Sequence, residues 1–275
     1  MEENYTGYKL LTLDDYNMEN FYKGELQLNL LENQYVIIEN EGHEAVDYYI
    51  NLNGQLQKLK YPILGNDQIT GQMKPRNPQQ YCAMDMLKRK DIPIKLITGK
   101  FGSGKSMMCI VAALEAIANG DFDQIIFVRN NVQVKDTDQL GALPGNELEK
   151  TLPYLMPFAD HCGGIEGLMQ LIDRGKLQVI PLGFLRGRSI RNSILYSMES
   201  ENLTKEHIQL IMGRIDEGSQ LWMDGDLKQR DKIAFDKSKG IETMVERLKG
   251  HPLFGYVHLI KSERSKVAAL ADLLD

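Results

Sequence analysis

The chain has 275 residues and a mass of 31.3 kDa, with 32 basic and 38 acidic residues, a net charge of -6 and a pI near 5.5. This length fits one large domain or one domain with a small appendage, and the acidic balance excludes a protein that is basic over its whole surface. The 43% hydrophobic and 25% charged residues are ordinary globular values, which excludes global disorder.

The first part of the chain predicts a small β unit. Two short runs rich in β-branched and aromatic residues, 35–38 and 46–50, are each followed by a turn that contains Asn and Gly. This spacing predicts hairpins and hence an antiparallel unit. The stretch 65–72 is rich in Gly, Gln and Asn and predicts a linker. We therefore divide the chain into a β-rich unit with its linker, residues 1–73, and a second domain, residues 74–275.

In the second domain, strands and helices are predicted to alternate. Helical periodicity over 79–90 and 106–118 flanks an apolar strand at 94–98. Further strands, mostly separated by helical stretches, are predicted at 124–128, 178–181, 194–197, 220–223 and 256–259. This alternation predicts βαβ units, and so an α/β fold whose mainly parallel sheet has helices on both faces.

The cysteines and the apolar segments indicate in which cellular compartment the protein is located. Cys82, Cys109 and Cys162 are too few and too far apart for a disulfide framework or a CxxC metal site. The polar, acidic N-terminus does not look like a signal peptide, and the longest apolar run, 107–118, is too short to span a bilayer. We therefore predict a cytoplasmic protein without a membrane segment.

The segment 99–106, Gly-Lys-Phe-Gly-Ser-Gly-Lys-Ser, matches the phosphate-loop pattern G-x-x-x-x-G-K-[ST]. A predicted strand precedes it and a helix follows, which is the context in which backbone N–H groups and a helix N-terminus bind phosphate. Lys105 would reach the β- and γ-phosphates, and the Ser106 hydroxyl would bind Mg²⁺. The residues predicted to bind the nucleotide here are Gly99, Phe101, Gly102, Ser103, Gly104, Lys105 and Ser106. A glycine-rich turn without a ligand is the alternative.

Hydrolysis also needs carboxylates at the end of a second strand. The predicted strand 194–197 is followed by Met198 and Glu199, so a methionine stands where an aspartate is expected. The strand 220–223 runs into 224–229, whose Gly-Asp-x-x-Gln pattern lies where α/β sheets bind ligands. There Gln229 could sense the γ-phosphate. An exposed glutamate after a buried strand and an ordinary turn are the alternative interpretations of these two segments.

Several arginines are candidates for binding phosphate groups. Arg264 precedes an apolar stripe on a predicted last helix, and it could stabilise transition-state charge or simply be a solvated residue of the first turn. Arg186, Arg188 and Arg191 are clustered, and they could contact a nucleic-acid backbone, a neighbouring subunit's nucleotide or only solvent.

Taken in order, these motifs resemble those of the PhoH family of ATPases, which are related to superfamily-1 helicases. The nearest branch carries a PIN nuclease domain in front. The matching stretches are 74–80, 99–106, 128–132, 143–145, 186–188, 199–204, 225–229, 251–255 and 261–265. The β unit of residues 1–73 resembles the segment that joins the PIN domain to the ATPase domain in that branch. We expect no PIN domain in a chain of this length, so ribonuclease activity is not implied.

The resemblance implies a RecA-like P-loop NTPase core that uses ATP and Mg²⁺. It implies a homo-oligomer, such as a hexamer, that acts on RNA or single-stranded nucleic acid. It assigns Gln80 to adenine recognition, Glu199 to catalysis, Gln229 to the γ-phosphate and Arg264 to the late helicase-like motif. The metal ligands would be Ser106, Glu199 and Asp226, and the candidate nucleic-acid contacts are Arg129, Arg186, Arg188 and Arg191.

Two residues depart from the family pattern. Met198 replaces an aspartate, so the water-mediated contact with Mg²⁺ is lost unless Glu199, Glu201 or Asp226 substitutes. Glu201 stands where the family usually has glutamine, and it would add negative charge beside the site. We predict an ATPase with impaired turnover. A nucleotide-binding scaffold or regulatory subunit is the alternative, and a small-molecule kinase, which does not call for Gln229 or Arg264, is a weaker one.

Overall fold

The computed structural model describes residues 5–65, 70–129, 147–227 and 239–263. Its strands are β1 (Tyr8–Thr12), β2 (Tyr35–Glu39), β3 (Ala45–Leu52), β4 (Gln55–Lys58), β5 (Ile94–Gly99), β6 (Gln124–Arg129), β7 (Leu177–Pro181), β8 (Ser193–Ser197), β9 (Gln220–Gly225) and β10 (Phe254–Leu259). Its α-helices are α1 (Asp15–Tyr22), α2 (Pro78–Lys88), α3 (Lys105–Ala118), α4 (Glu147–Ala159), α5 (Gly164–Asp173), α6 (Lys205–Met212) and α7 (Gly240–Leu248).

The N-terminal sheet has the strand order β1-β2-β3-β4. The two hairpins β2–β3 and β3–β4 are antiparallel, as the turn spacing predicted. The prediction of a purely antiparallel unit was wrong for β1, which pairs with β2 in parallel. A parallel pair needs a crossover connection, and α1 lies in that connection. The Asp14 carboxylate caps α1 by accepting a 2.8 Å hydrogen bond from the Asn17 N–H.

The small sheet is fastened to the rest of the chain by hydrogen bonds. The Asn33 amide nitrogen lies 3.2, 2.9 and 3.1 Å from the carbonyl oxygens of His251, Pro252 and Phe254. The N–H of His258, on β10, donates to the Thr6 carbonyl at 2.9 Å. Side chains of β2 also share one buried cluster with α2 and α3. The two units are therefore packed together, and a boundary near residue 73 stays a prediction.

The second sheet has the strand order β10-β5-β9-β8-β6-β7, and every neighbouring pair is parallel. Apolar residues of α2, α3, α4 and α5 form the main core cluster on one face, while α6 and α7 cover the other. Successive strand residues point to opposite faces: Ile97 lies in the main core cluster and Leu96 in the second cluster. The predicted α/β P-loop NTPase fold is confirmed.

All strands of this sheet end at the same edge because they are parallel. The strand β9 lies between β5, which leads into the phosphate loop, and β8, which leads to Glu199. The carboxyl ends of these three strands therefore meet, and α/β sheets bind ligands at this edge. Across the described ranges, none of the helices has the length and apolar character that crossing a membrane requires.

Candidate functional site

The phosphate loop connects the end of β5 to the first residue of α3. Gly102 and Gly104 have φ values of 78° and 86°, in the left-handed region that favours glycine. A Cβ at Gly99 would lie 2.7 Å from the Leu259 carbonyl oxygen, so a larger residue does not fit there. Gly104 is the N-cap of α3, and among the described residues no side chain caps this helix. The positive end of α3 is thus available to an anion.

One polar atom inside the loop supports a phosphate ligand. The Ser103 hydroxyl is fully buried and has no hydrogen-bond partner among the described residues. Buried polar groups in proteins are nearly always hydrogen-bonded, so an unpaired one calls for an explanation. A phosphate oxygen would provide the missing partner. The Lys105 ammonium lies 3.3 Å from the Lys100 carbonyl oxygen, within the same loop. The residues present therefore fit a bound phosphate group.

The inner side of the loop is held by Gln80 of α2. Its amide nitrogen donates to the Ser103 carbonyl at 3.0 Å, and its amide oxygen accepts from the Arg76 N–H at 2.9 Å. Only 1% of Gln80 is exposed. Adenine recognition by Gln80 stays a prediction, whereas its contact with the loop is seen directly.

The outer side of the loop is held by the segment that follows β10. The Glu263 N–H donates to the Gly102 carbonyl at 2.9 Å, and the Glu263 carboxylate accepts from the Asn77 amide at 2.8 Å. Phe101 is 63% exposed at the tip of the loop. The predicted Arg264 lies outside the described residues, as does Gln229, but the residue before Arg264 is bonded to the loop.

Asp224, the acid in β9, is the site residue that the sequence interpretation missed. It is 1% exposed, and its carboxylate accepts hydrogen bonds from the Tyr196 hydroxyl at 2.9 Å and the Glu199 N–H at 3.1 Å. The Ser106 hydroxyl and the Lys105 ammonium both interact with it and lower its pKa. Burial raises the pKa of Asp224, and the hydrogen bonds and the charge of Lys105 oppose this shift. A buried strand ending in an acid was the available signal, but only the strand order shows that it faces Ser106.

Glu199 lies where the sequence predicted a catalytic carboxylate. It follows β8 and adopts a left-handed backbone conformation with φ 51°, which is uncommon for a residue other than glycine. This turn directs its N–H to Asp224. Strained backbone of this kind clusters at functional sites. Met198 is only partly buried and packs against the main core cluster.

Glu201 differs from the expectation that it adds a full negative charge. Its pKa is raised to about 8, mainly by burial, while hydrogen bonds from two backbone N–H groups lower it and the charges of Asp224 and Glu199 raise it. At neutral pH the Glu201 carboxyl is therefore mostly protonated and uncharged. It accepts a hydrogen bond from the Asp226 N–H at 3.0 Å, which holds the end of β9. Metal binding by Asp226, which is buried beside it, stays a prediction.

The arginines predicted to bind nucleic acid do not all lie near the phosphate loop. Arg129 is the last residue of β6 and so lies at the carboxyl edge of the sheet. Arg186 and Arg188 are exposed. Arg191 pairs with Asp216 at 2.9 Å, and since both precede the strands that follow them, this pair lies at the opposite edge of the sheet.

Comparison with known proteins gives one family. The sequence model of the family described as PhoH-like protein matches residues 72–272. The chain is 32% identical to protein PhoH2 of Bacillus subtilis, over 99% of the chain and 65% of that protein. It is 33% identical to PhoH2 of Thermobispora bispora, over 76% and 48% respectively. For protein PhoH of Escherichia coli K12 the identity is 28%, over 70% and 55%. The chain thus spans between about half and two thirds of these relatives.

Proposed function

Since the chain belongs to the PhoH family of P-loop ATPases, we propose that it binds ATP with Mg²⁺ and hydrolyses the bond between the β- and γ-phosphates. One observation carries the proposal. The phosphate loop, the buried Asp224 carboxylate and Glu199 lie together at the carboxyl edge of one parallel sheet. This combination of anion site and carboxylates is what phosphoryl transfer to water requires.

Each of these groups has a role in the proposed reaction. The loop amides and Lys105 would bind the phosphates and offset their charge, while the Ser106 hydroxyl would hold the cation. When bound, Mg²⁺ would supply positive charge that offsets the negative charge of the phosphates. Glu199 would orient the attacking water and accept its proton. We also assign the γ-phosphate sensor to Gln229 and the charge-stabilising arginine to Arg264.

Steady-state ATP turnover, combined with binding of a fluorescent ATP analogue, tests this function. Lys105→Ala should lose both binding and turnover. Glu199→Gln should keep binding and lose turnover by about 10²- to 10⁴-fold, the usual contribution of a positioned general base. Lys60→Ala removes an exposed lysine of the N-terminal unit and serves as the matched control. A wild-type rate equal to that of Lys105→Ala, with and without RNA, would overturn the proposal.

We further propose that ATP use is coupled to RNA or single-stranded nucleic acid, by a cytoplasmic homo-oligomer such as a hexamer. The family resemblance supports this, as do the exposed Arg186 and Arg188 and the position of Arg129 at the carboxyl edge of the sheet. Arg191 is the weakest of the candidate contacts because Asp216 already pairs with it. Binding to labelled RNA should weaken steeply as salt rises, since phosphate contacts release counterions. Binding that is insensitive to salt would contradict these contacts, and sedimentation would give the assembly.

A second candidate function is a nucleotide-binding scaffold with little or no hydrolysis. Met198 is the observation that favours it, since a family aspartate is absent there. This candidate predicts tight ATP binding with negligible turnover, and a gain of turnover in Met198→Asp. A measurable wild-type rate that Met198→Asp leaves unchanged would exclude it.

A further inference from the structure

The absent aspartate leaves a defined position without an acid. In the structure Met198 follows β8, on the same face of the sheet as Tyr196, and it packs against the main core cluster. Mg²⁺ binds oxygen ligands, and a thioether is a soft ligand that does not suit it. Position 198 therefore contributes nothing to holding this cation.

A carboxylate lies one strand away from that position. Ser197 of β8 pairs with Met223 of β9, so the next residues along the two parallel strands, Met198 and Asp224, lie side by side. Neighbouring strands are about 4.8 Å apart, so the acid is displaced by one strand width. On its other side Asp224 pairs with Ile97 of β5, the strand that leads into the phosphate loop. The displacement thus brings the acid towards the loop.

The contacts of Asp224 match those of a residue that holds a cation through water. Asp224 is 1% exposed on β9, next to the strand that leads into the phosphate loop. Its interactions with the Ser106 hydroxyl and with the charge of Lys105 lower its pKa, and Ser106 is the loop residue that would bind Mg²⁺ directly. Tyr196 and the Glu199 N–H fix its orientation. In the same loop, the buried Ser103 hydroxyl has no hydrogen-bond partner among the described residues.

We infer that Asp224 replaces the aspartate absent at position 198, holding Ser106 and the water shell of Mg²⁺ from the neighbouring strand. This inference rests on the proposed function, because it requires that ATP and Mg²⁺ bind at the loop. It gives Asp224 the role of a positioning residue, which acts on the cation through Ser106 and water. A merely structural Asp224, which only ties β8 to β9, is the competing explanation.

The experiment measures the affinity for a fluorescent ATP analogue, mant-ATP, in Mg²⁺ and in EDTA. The variants are Asp224→Asn, Met198→Asp/Asp224→Asn, Lys105→Ala and, as a matched control, Asp173→Asn at the exposed end of α5. Mn²⁺ bound per nucleotide, counted by electron paramagnetic resonance, gives a second readout. Circular dichroism and thermal unfolding establish that each variant is folded. If Asp224→Asn does not fold, Asp224→Ser takes its place, since a hydroxyl can still bond to Tyr196.

We expect Asp224→Asn to lose about 10- to 100-fold of the Mg²⁺-dependent gain in affinity, the usual effect of removing an outer partner of a metal ligand. The affinity of Asp224→Asn in EDTA should stay near the wild-type value. The double variant should recover the Mg²⁺-dependent increase in affinity, and Asp173→Asn should bind mant-ATP as wild type does.

Two results would overturn the inference. One is a folded Asp224→Asn that keeps the full gain, or that weakens equally in Mg²⁺ and EDTA as a structural role predicts. The other is a folded double variant without recovery, since the two positions would then not be equivalent. If wild type binds mant-ATP no better than Lys105→Ala, the proposed function itself fails.

Discussion

Lys95 lies on β5, the strand that leads into the phosphate loop, and its ammonium group is almost completely buried. Its Nζ donates to the carbonyl oxygens of Leu87 and Arg89 at 3.0 and 2.6 Å, and to the Gln220 side chain at 2.7 Å. It also lies 4.8 Å from the centre of the Trp222 ring. Burial lowers the pKa of Lys95 from 10.5 to about 7, although the nearby Asp91 opposes this shift.

This shift has a definite sign for stability. Between pH 7 and pH 10.5 the unfolded chain binds a proton at this lysine more readily than the folded chain does. The contribution of Lys95 to the free energy of unfolding therefore rises with pH across this window. From a pKa of about 7 in the folded state and 10.5 in the unfolded state, the rise between pH 7 and pH 9 is about 2 kcal/mol.

The prediction concerns the difference between wild type and two neutral variants, Lys95→Met and Lys95→Gln. The Met variant removes the charge and the donors, whereas the Gln variant retains a neutral donor. Urea unfolding at pH 7, 8 and 9 gives the free energies. The free energy of unfolding of wild type, minus that of either variant, should rise by about 2 kcal/mol over this range. Taking the difference removes groups common to all three chains, including Glu201, whose raised pKa gives a slope of opposite sign.

A difference that stays constant from pH 7 to pH 9 in both variants would refute the reasoning. It would mean that the three oxygen acceptors and the Trp222 ring keep the ammonium charged in the folded state despite its burial. If only one variant showed the rise, the hydrogen bonds made by the side chain at position 95, rather than the charge, would explain it.

Two further predictions concern the contacts that hold the loop and the N-terminal unit. Gln80→Leu should weaken binding of ATP and GTP by similar factors, because the Gln80 amide that it removes is bonded to Ser103 and Arg76. Competition binding with the two nucleotides checks this, and a loss confined to ATP would favour adenine recognition. Asn33→Asp keeps a residue that tolerates φ 60° but removes the donor to three carbonyls, so urea unfolding should show a loss of about 1–3 kcal/mol. Unchanged stability would mean that this contact does not fasten the small sheet.

Much of the fold could be predicted because its signals are local. The alternation of strand and helix from residue 74 onward and the phosphate loop both appear as short patterns, and the parallel sheet confirms that interpretation. The N-terminal unit was predicted less well. Its hairpins carry turn residues, but β1 pairs with β2 across α1, and no local pattern reveals such a pairing.

The site was predicted in part for the same reason. Glu199 follows a recognisable buried strand, so its place at the carboxyl edge was foreseeable. The state of Glu201 was not, because its raised pKa depends on burial and on the charges of Asp224 and Glu199. Asp224 belongs to a segment that the sequence pattern singled out, but its neighbours in the sequence do not indicate that it pairs with Ile97 of β5, the strand that leads into the phosphate loop.

The sequence by itself determined that this chain carries a phosphate loop on an α/β core, because glycine positions and hydrophobic periodicity are written in adjacent residues. Only the tertiary structure decided which acidic residue lies on the strand next to the one that leads into the loop. The strand order places β9 between β5 and β8, and the register sets Asp224 beside the position of the missing aspartate. Strand order and register depend on contacts between distant parts of the chain, so they emerge only when the sheet is assembled.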